Sequence, residues 1–597
     1  MKKDLLTLTL SLFVFPFTSS GAEAFRKLPV STYIDKMKAG WIGQMAGVGW
    51  AGPTEFKWNG EIIPADKMPT WQPEMINQFE QDDIYVEMTF LRTLEVYGID
   101  AGIRQAGIDF ASSQYLLAHA NIAGRGNLRE GIAPPDSGHP RFNRHADDID
   151  YQIEADFSGL ISPGLPNEVI RLGDVFGRLM NYGDGLYGGQ FIGGLYAEAF
   201  FEDDMVKIVE AGLKCIPEKS QYAEMVRDML AWYAKNPKDW KKTWQWCEEK
   251  YHKDARYTHG LCSKPGAENA ISIDAKLNAA YVLMGLLYGG GHPDQTIIIS
   301  TRCGQDSDCN PSSAAGILFT TLGHSDVPDR FKVALDPKSK FSHTPYDFDS
   351  LVTVCERLTR QSVLKAGGKI ERDASGKEVF LIPSIKTRPS KLEQSWAPGP
   401  IAHSRYTPEE IDQMQLKVQL TKGEVGLDDV TYDNLVPGEF MRKWLILGPI
   451  PLRVHYGGDL NDEQQKAAFD KDYIDVANFT PKKNVFDTDY EWSILEARPN
   501  VIDLLAVSKD DMEAQIAYLW AQIEMPRDKA TVLGIGSDDA VKVWLNGELV
   551  HENWVERGVV EDEDTVPVHF KKGKNQLVLK IQNTYVDYGF CCRMLGQ

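Results

Sequence analysis

The sequence predicts a multidomain chain, an all-α domain followed by a small all-β, jelly-roll-like sandwich. Two patterns and one dipeptide predict it. Apolar residues recur at helical spacing through the first half, whereas short runs after residue 441 alternate apolar and polar. Asn546-Gly547 stands between two such runs, and a two-residue hairpin turn needs positive φ at both positions. With 597 residues, the chain holds two or three domains of about 100–200 residues each.

In chain order, residues 1–24 have the form of a signal peptide. Lys2 and Lys3 precede an apolar run to Phe17, and Ala22-Glu23-Ala24 closes a small-residue stretch before Phe25. The competing reading is a buried N-terminal helix, and the run is short for a membrane span. Residues 25–325 form the helical domain, with helices predicted over 84–97, 168–180, 191–201, 205–213, 221–233 and 277–287. Glycine-rich joints at 181–185 and 289–293 end helices, since glycine accepts positive φ and Pro293 cannot continue one. Residues 326–440, rich in Pro, Lys and Ser, read as a connecting region with short strands near 369–371 and 379–382. Residues 441–597 form the sandwich, with strands expected at 444–449, 531–537, 540–545, 548–550 and 575–581.

The 85 acidic and 64 basic side chains leave a net charge of -21, which excludes a general nucleic-acid binder. Eight cysteines, none in a C-x-x-C pair, argue against a zinc site, and export makes disulfides feasible without fixing a pairing. The oligomeric state is not legible.

Two acidic clusters stand where loops enter helices: Gln81-Asp82-Asp83 and Gly304-Gln305-Asp306-Ser307-Asp308. Either alone is explained by capping, because an acid at a helix start gains about 0.3–1 kcal/mol from the dipole. The spaced Asp306-x-Asp308 also suits a hard cation, which prefers oxygen ligands. Near the start, Gly40, Gly43, Gly47 and Gly49 lie at helical spacings that let a second helix approach closely, and a Gly-Pro turn then carries Glu55, which alone would read as a surface residue. The run 147–156 reads as a solvated helix face with Ile149, Ile153 and Phe157 buried, or else as a second acid/base group in which Glu154 or Asp156 holds sugar hydroxyls. Trp544 lies in an alternating strand and reads as core rather than as a sugar platform, and Asp538 and Asp539 as turn formers.

The glycine-rich first helix ending at Glu55, the Asp82-Asp83 pair and the late Gly-x-Asp-x-Asp, in that order, resemble the ADP-ribosylglycohydrolase family, which includes dinitrogenase reductase-activating glycohydrolases. The resemblance spans roughly 33–325 and includes Gly183–Gly189 and Leu286–Gly291. It implies an all-α fold, hydrolysis at an anomeric carbon of a ribofuranose, and one or two Mg²⁺ or Mn²⁺ ions. It implies Gln81, Asp82, Asp83, Asp306 and Asp308 as metal-site residues and Glu55 and Asp83 as catalytic ones. Asn127, Glu154, Asp156, Asp184 and Tyr187 are substrate-binding candidates. Three departures from the family pattern bear on the second metal: Gln81 and Ile84 flank the Asp pair in place of Thr, Cys309 replaces Thr or Ser, and Val48 replaces Asp. The C-terminal part resembles jelly-roll modules of secreted glycosidases, which implies sugar or Ca²⁺ as a further ligand. The expectation is an exported, periplasmic or extracellular glycoside hydrolase acting on a glycan or nucleotide-sugar substrate. The alternatives are an ADP-ribosyl hydrolase and a non-catalytic glycan-binding protein with a degenerate metal site.

Overall fold

A computed structural model describes residues 25–597 except 114, 261–270, 415–417, 424, 434, 453–459, 477–489, 498–499, 509–513, 585–587 and 596–597. The expected signal segment and Cys262 lie outside the described residues.

The helical body begins with strand β1 (Phe25–Pro29) and helices α1 (Val30–Ala51), α2 (Asp82–Tyr97), α3 (Ile103–Ala111), α4 (His119–Arg129), α5 (Asp150–Ile153), α6 (Asp156–Leu160) and α7 (Pro166–Phe176). It continues through α8 (Asp184–Ala199), α9 (Met205–Leu213), α10 (Gln221–Lys235), α11 (Trp240–Cys247), α12 (Ala275–Tyr288), α13 (Pro293–Arg302), α14 (Cys309–Leu322) and α15 (Phe348–Lys365). Helix α8 starts at Asp184, seven residues before the predicted helix, because Gly183 turns the chain at φ +59 and the glycines that follow fit inside the helix.

Helices α1 and α14 form the spine, and they approach because neither carries bulk at the contact. A Cβ on Gly43 would lie 2.4 Å from the Ala315 carbonyl, and one on Gly47 would lie 2.3 Å from that of Pro311. This contact sets the loop before α14 next to the C-terminal end of α1.

The helical core does not stop at residue 325. Phe348, Leu351 and Leu358 of α15 share one buried cluster with Trp41 and Phe319, as do Tyr406 and Met414. Strands β2 (Lys369–Arg372) and β3 (Glu378–Pro383) do form, and β1 pairs with β3 in the order β1-β3-β2. Beyond them the connecting chain straps the helical body. Asp136 accepts from the backbone N–H groups of Ala402 (2.7 Å) and Ser404 (2.9 Å), and Arg104 is salt-bridged to Glu410 of α16 (Pro408–Gln413).

The C-terminal part is built of β4 (Val418–Thr421), β5 (Thr431–Asp433), β6 (Lys443–Pro451), α17 (Asp462–Asp470), β7 (Ser493–Ala497), β8 (Ile502–Asp503), β9 (Gln515–Met525), β10 (Lys529–Asp538), β11 (Ala540–Leu545), β12 (Glu548–Asn553), β13 (Asp564–Phe570), β14 (Gly573–Asn583) and β15 (Gly589–Met594). One sheet runs β12-β11-β14-β9-β6-β7-β4 and the other β13-β10-β15-β8. Leu519, Val543 and Leu579 of the first meet Leu533, Val566 and Phe590 of the second between the sheets. The outer face of the larger sheet is also covered: Tyr518, Trp520 and Trp544 pack with Ala468 of α17. Trp544 is therefore core, only 4% exposed. Asn546 (φ +54) and Gly547 (φ +83) make the β11–β12 turn. Among the described residues no helix is long and apolar enough to cross a membrane, and seven cysteines are buried free thiols.

Candidate metal centre and catalytic cleft

Asp82 and Asp83 open α2, and Asp306 and Asp308 lie in the loop that enters α14. The two segments, more than 200 residues apart in sequence, meet at Cys309. Ligand atoms of Asp82, Asp83 and Cys309 lie within 4.8 Å of one another, and so do those of Asp306, Asp308 and Cys309.

The Glu55 loop is tied to this point by backbone. Phe56 N–H donates to the Gln305 carbonyl (3.1 Å), Gln305 N–H to that of Trp58 (3.0 Å), and the Thr54 and Ser307 hydroxyls bond at 2.8 Å. The pairing requires Phe56 (φ +48) and Gln305 (φ +57) in the left-handed region, which costs a residue with a β-carbon about 1–2 kcal/mol. Gly304 (φ +82) completes the turn, where a Cβ would sit 2.3 Å from the Trp58 carbonyl.

Electrostatics register the convergence. Burial raises the pKa of Asp83, and the charges of Asp82 and Asp308 raise it further. Burial and then Glu55 raise that of Asp306, and burial and then Asp306 that of Asp308. Glu55 is a solvent-accessible residue at the rim, yet protein crowds its carboxyl. That crowding, with Asp308 and Asp82 adding to it, pushes its pKa up to about 9. Both carboxylate oxygens of Asp83 are buried with no hydrogen-bond partner; Cys309 and Ser312 lie near without making a well-formed bond. A cation is what such a group calls for, because it cancels the repulsion and takes the orphaned oxygens as ligands.

A second layer lies beneath. Glu87 accepts from Phe157 N–H (2.8 Å) and from Gln44, whose amide also reaches Asp156 (3.3 Å). Tyr196 donates to Asp156 at 2.7 Å. Asn121 donates to Glu154, whose other oxygen is buried and unpaired, and Glu154 feels the charges of Asp150, Asp82 and Asp83. The run 147–156 is thus not a solvated face: Asp147, Asp148, Asp150, Glu154 and Asp156 are all buried. Asn121 of α4 serves Asp150 and Glu154, Gln44 of α1 and Tyr196 of α8 serve Asp156, Ser395 serves Asp147, and His145 serves Asp148.

Of the sequence-predicted residues, Glu55, Asp82, Asp83, Asp306 and Asp308 come together. Gln81 stands at the α2 N-cap with its amide beside Gly52. Glu154 and Asp156 adjoin the cluster, and three residues have other work. Asn127 donates to the carbonyls of Ser137 (2.9 Å) and Phe142 (3.1 Å). The Tyr187 hydroxyl donates to the Lys391 carbonyl and accepts from Glu393 N–H, pinning the strap. Asp184 is 3.5 Å from buried Lys276, which also pairs with Asp274 at 3.0 Å. The sequence reading missed Gln44 and Glu87, whose pairing across α1 and α2 leaves no local signal. In the sandwich, Asp539 accepts from Arg557 and Thr584 N–H groups, which fits a structural role rather than a Ca²⁺ site. A groove of about 730 Å³ beside α2, lined by Arg92, Asp109 and His343, and a cavity of about 400 Å³ under the strap, at Asp136, His139 and Tyr182, include none of the clustered acids.

The sequence model of the ADP-ribosylglycohydrolase family matches residues 29–365. The chain belongs to that family. No curated protein sequence matches the chain. Among solved structures, an ADP-ribosylglycohydrolase-related protein complex is 12% identical, over 56% of this chain and 99% of its own, at a TM-score of 0.36. The PA14 domain of the MpAFP antifreeze protein is 12% identical, over 27% of this chain and 84% of its own, at 0.17. A beta-glucosidase from Kluyveromyces marxianus is 11% identical, over 49% and 34% respectively, also at 0.17. The family match places glycohydrolase-type, generally metal-dependent chemistry on this chain. Its span, to residue 365, runs to the end of α15 rather than to 325. The donor set fits a divalent cation, with the Cys309 sulfur as the one soft atom among carboxylates.

Proposed function

We propose that this member of the ADP-ribosylglycohydrolase family is an exported enzyme that hydrolyses a furanosyl or related glycosidic bond in a glycan, using one or two Mg²⁺ or Mn²⁺ ions. The observation that carries the reading is Asp83, with two buried oxygens lacking a donor amid three more aspartates and Glu55.

Asp82, Asp83, Asp306 and Asp308 hold the ions, with the Gln81 amide oxygen available from the same turn. Bound there, a cation supplies the positive charge that anchors sugar hydroxyls and steadies charge developing at the scissile bond. Glu55, at the solvent side, takes the proton of the attacking water once a bound cation offsets the Asp308 and Asp82 charges that help raise its pKa, or faces the oxocarbenium-like centre. Glu87 and Asp156 fix the floor through Gln44, Phe157 and Tyr196. Export rests on Lys2 to Ala24, and the glycan preference on export together with the appended sandwich. The second reading, an ADP-ribosyl substrate, is favoured by family membership.

The test offers the purified protein furanosyl oligosaccharides and ADP-ribosylated peptides, with and without chelator. Pentose release that chelator abolishes and Mn²⁺ or Mg²⁺ restores is expected. Turnover of ADP-ribosyl substrates alone overturns the glycan assignment, and no turnover with no metal uptake leaves a binding protein. Mass spectrometry of the exported product should find Phe25 as the mature N-terminus; an uncleaved cytoplasmic chain overturns export.

A further inference from the structure

We infer that His119, His145 and Asp148 form a second cation site in the same cleft, one that takes a borderline transition-metal ion such as Zn²⁺ in preference to Mg²⁺. One ligand atom from each lies within 4.8 Å of the others. His145 Nδ1 is 2.7 Å from Asp148 Oδ2, and the two imidazole centroids are 6.0 Å apart. Donors on a tetrahedral ion with bonds of about 2.0–2.1 Å stand roughly 3.3 Å apart. His145 Nδ1 and Asp148 Oδ2 are hydrogen-bonded at 2.7 Å, and an ion entering between them takes the place of the shared proton.

The frame is prebuilt. Asn143, fully buried, accepts from His145 N–H (2.9 Å) and donates to the carbonyls of Ala120 (2.9 Å) and Met180 (2.8 Å). One side chain therefore clamps the His145 turn to the residue that follows His119. Asp148 is anchored by its N–H to the His145 carbonyl (2.9 Å) and by its own carbonyl to the Asn181 amide (2.8 Å). His119 sits at φ +48, a left-handed conformation that a β-carbon residue holds only where its surroundings impose it. Such strain collects at ligand sites. Both imidazoles are half-buried, whereas Asp148 is fully buried.

The donor chemistry separates this site from the acid centre. Two imidazole nitrogens and a carboxylate suit Zn²⁺ and its neighbours, whereas carboxylates alone suit Mg²⁺ and Mn²⁺. The two sites adjoin: the ring of Phe56, next to Glu55, is 6.5 Å from that of His119, and Glu154 feels Asp150 as well as Asp82 and Asp83. A second ion here gives the cleft a positive anchor beyond the reacting bond. The inference stands on the His–Asp geometry and does not require the glycosidase reading.

Full-length protein is stripped with chelator, saturated with Mg²⁺ to fill the acid centre, and titrated with Co²⁺ as the probe. X-ray absorption at the cobalt edge reports imidazole ligation. One Co²⁺ per chain with imidazole scattering is expected, bound at least about tenfold more weakly in His119→Gln and His145→Gln and unchanged in Asp306→Asn. Asp148→Asn serves as the variant should either histidine variant fail to melt cooperatively, and the wild-type spectrum decides by itself. No cobalt uptake in the presence of Mg²⁺, uptake without imidazole scattering, or equal affinity in the histidine variants overturns the site. Cobalt lost from Asp306→Asn and retained in the histidine variants also overturns it while leaving the acid centre standing.

Discussion

In the sandwich, Asp539 accepts from the N–H groups of Arg557 and Thr584, and the Lys580 ammonium donates to the carbonyls of Ala468, Phe469 and Lys471. In the helical body, Asp83 is equally buried, yet neither of its carboxylate oxygens has a hydrogen-bond partner. Burying an ionisable group is costly unless partners replace water. Where they are supplied, as around Lys580, the group is structural. Where like charges are gathered and donors withheld, as around Asp83, the missing partner comes from outside the chain. The difference separates a scaffold from a site without reference to any relative.

The largest expected effect breaks the comparison at the acid cluster. Asp308→Asn should lower glycohydrolase activity by about 10²–10³-fold, or about 3–4 kcal/mol of transition-state stabilisation. The metal-free protein should melt no lower than wild type, since one repelling charge is gone. Steady-state kinetics and melting curves in chelator check both, and a variant with full activity removes Asp308 from the site. Adding Mn²⁺ at about 100 times its Kd should stabilise wild type by about 2.7 kcal/mol and the variant by less.

Next comes the spine. Gly47→Ala sets a Cβ against the Pro311 carbonyl, where backbone must move, and should cost about 1–3 kcal/mol. The displacement passes directly to the loop carrying Asp306 and Asp308, so cation affinity should fall along with the melting temperature. A destabilised variant with unchanged affinity would uncouple the α1–α14 contact from the site.

That contact was legible in the sequence because small residues at helical spacing have one evident use. The Asp82-Asp83 and Asp306-x-Asp308 clusters were legible as helix entries, but their meeting needs Phe56 and Gln305 in left-handed conformations that composition does not announce. The run 147–156 misled for a related reason. Ile149, Ile153 and Phe157 make an amphipathic pattern, which implies water on the other side. The other side is instead filled by Asn121, Gln44 and Tyr196. Strand β1 was missed because its partner, β3, is about 350 residues away and nothing local marks the pairing.

The two regions should also respond to pH in opposite directions. Burial raises Asp156 to about 7, while an unfolded Asp titrates near ~3.9. Between those values the native state binds more protons, so this group's contribution to stability falls as pH rises. Burial, with Lys542 adding to it, lowers Lys580 to about 7, against ~10.4 unfolded. Above 7 the unfolded state binds more protons, so this contribution grows as pH rises. Each slope is at most ~1.4 kcal/mol per pH unit. Denaturant midpoints in chelator should show Asp156→Asn gaining on wild type from pH 4 to 7, and wild type gaining on Lys580→Met from pH 7 to 10. Parallel curves would cancel the contrast.

The smallest effect isolates the sandwich. Gly547 holds φ +83 at the tip of the β11–β12 hairpin, with no ionisable group of the cleft nearby in the chain. Gly547→Ala forces a β-carbon into that conformation and should cost about 1 kcal/mol. Because the strain enters a region whose buried Asp539 and Lys580 already have partners, melting temperature should fall while cation affinity and turnover of the full-length protein stay at wild-type values. A drop in cation affinity would show that the hairpin is mechanically coupled to the helical body. Arg129, which bonds both to the Ala111 carbonyl and to that of Ala506, would then be the first residue to test as the link.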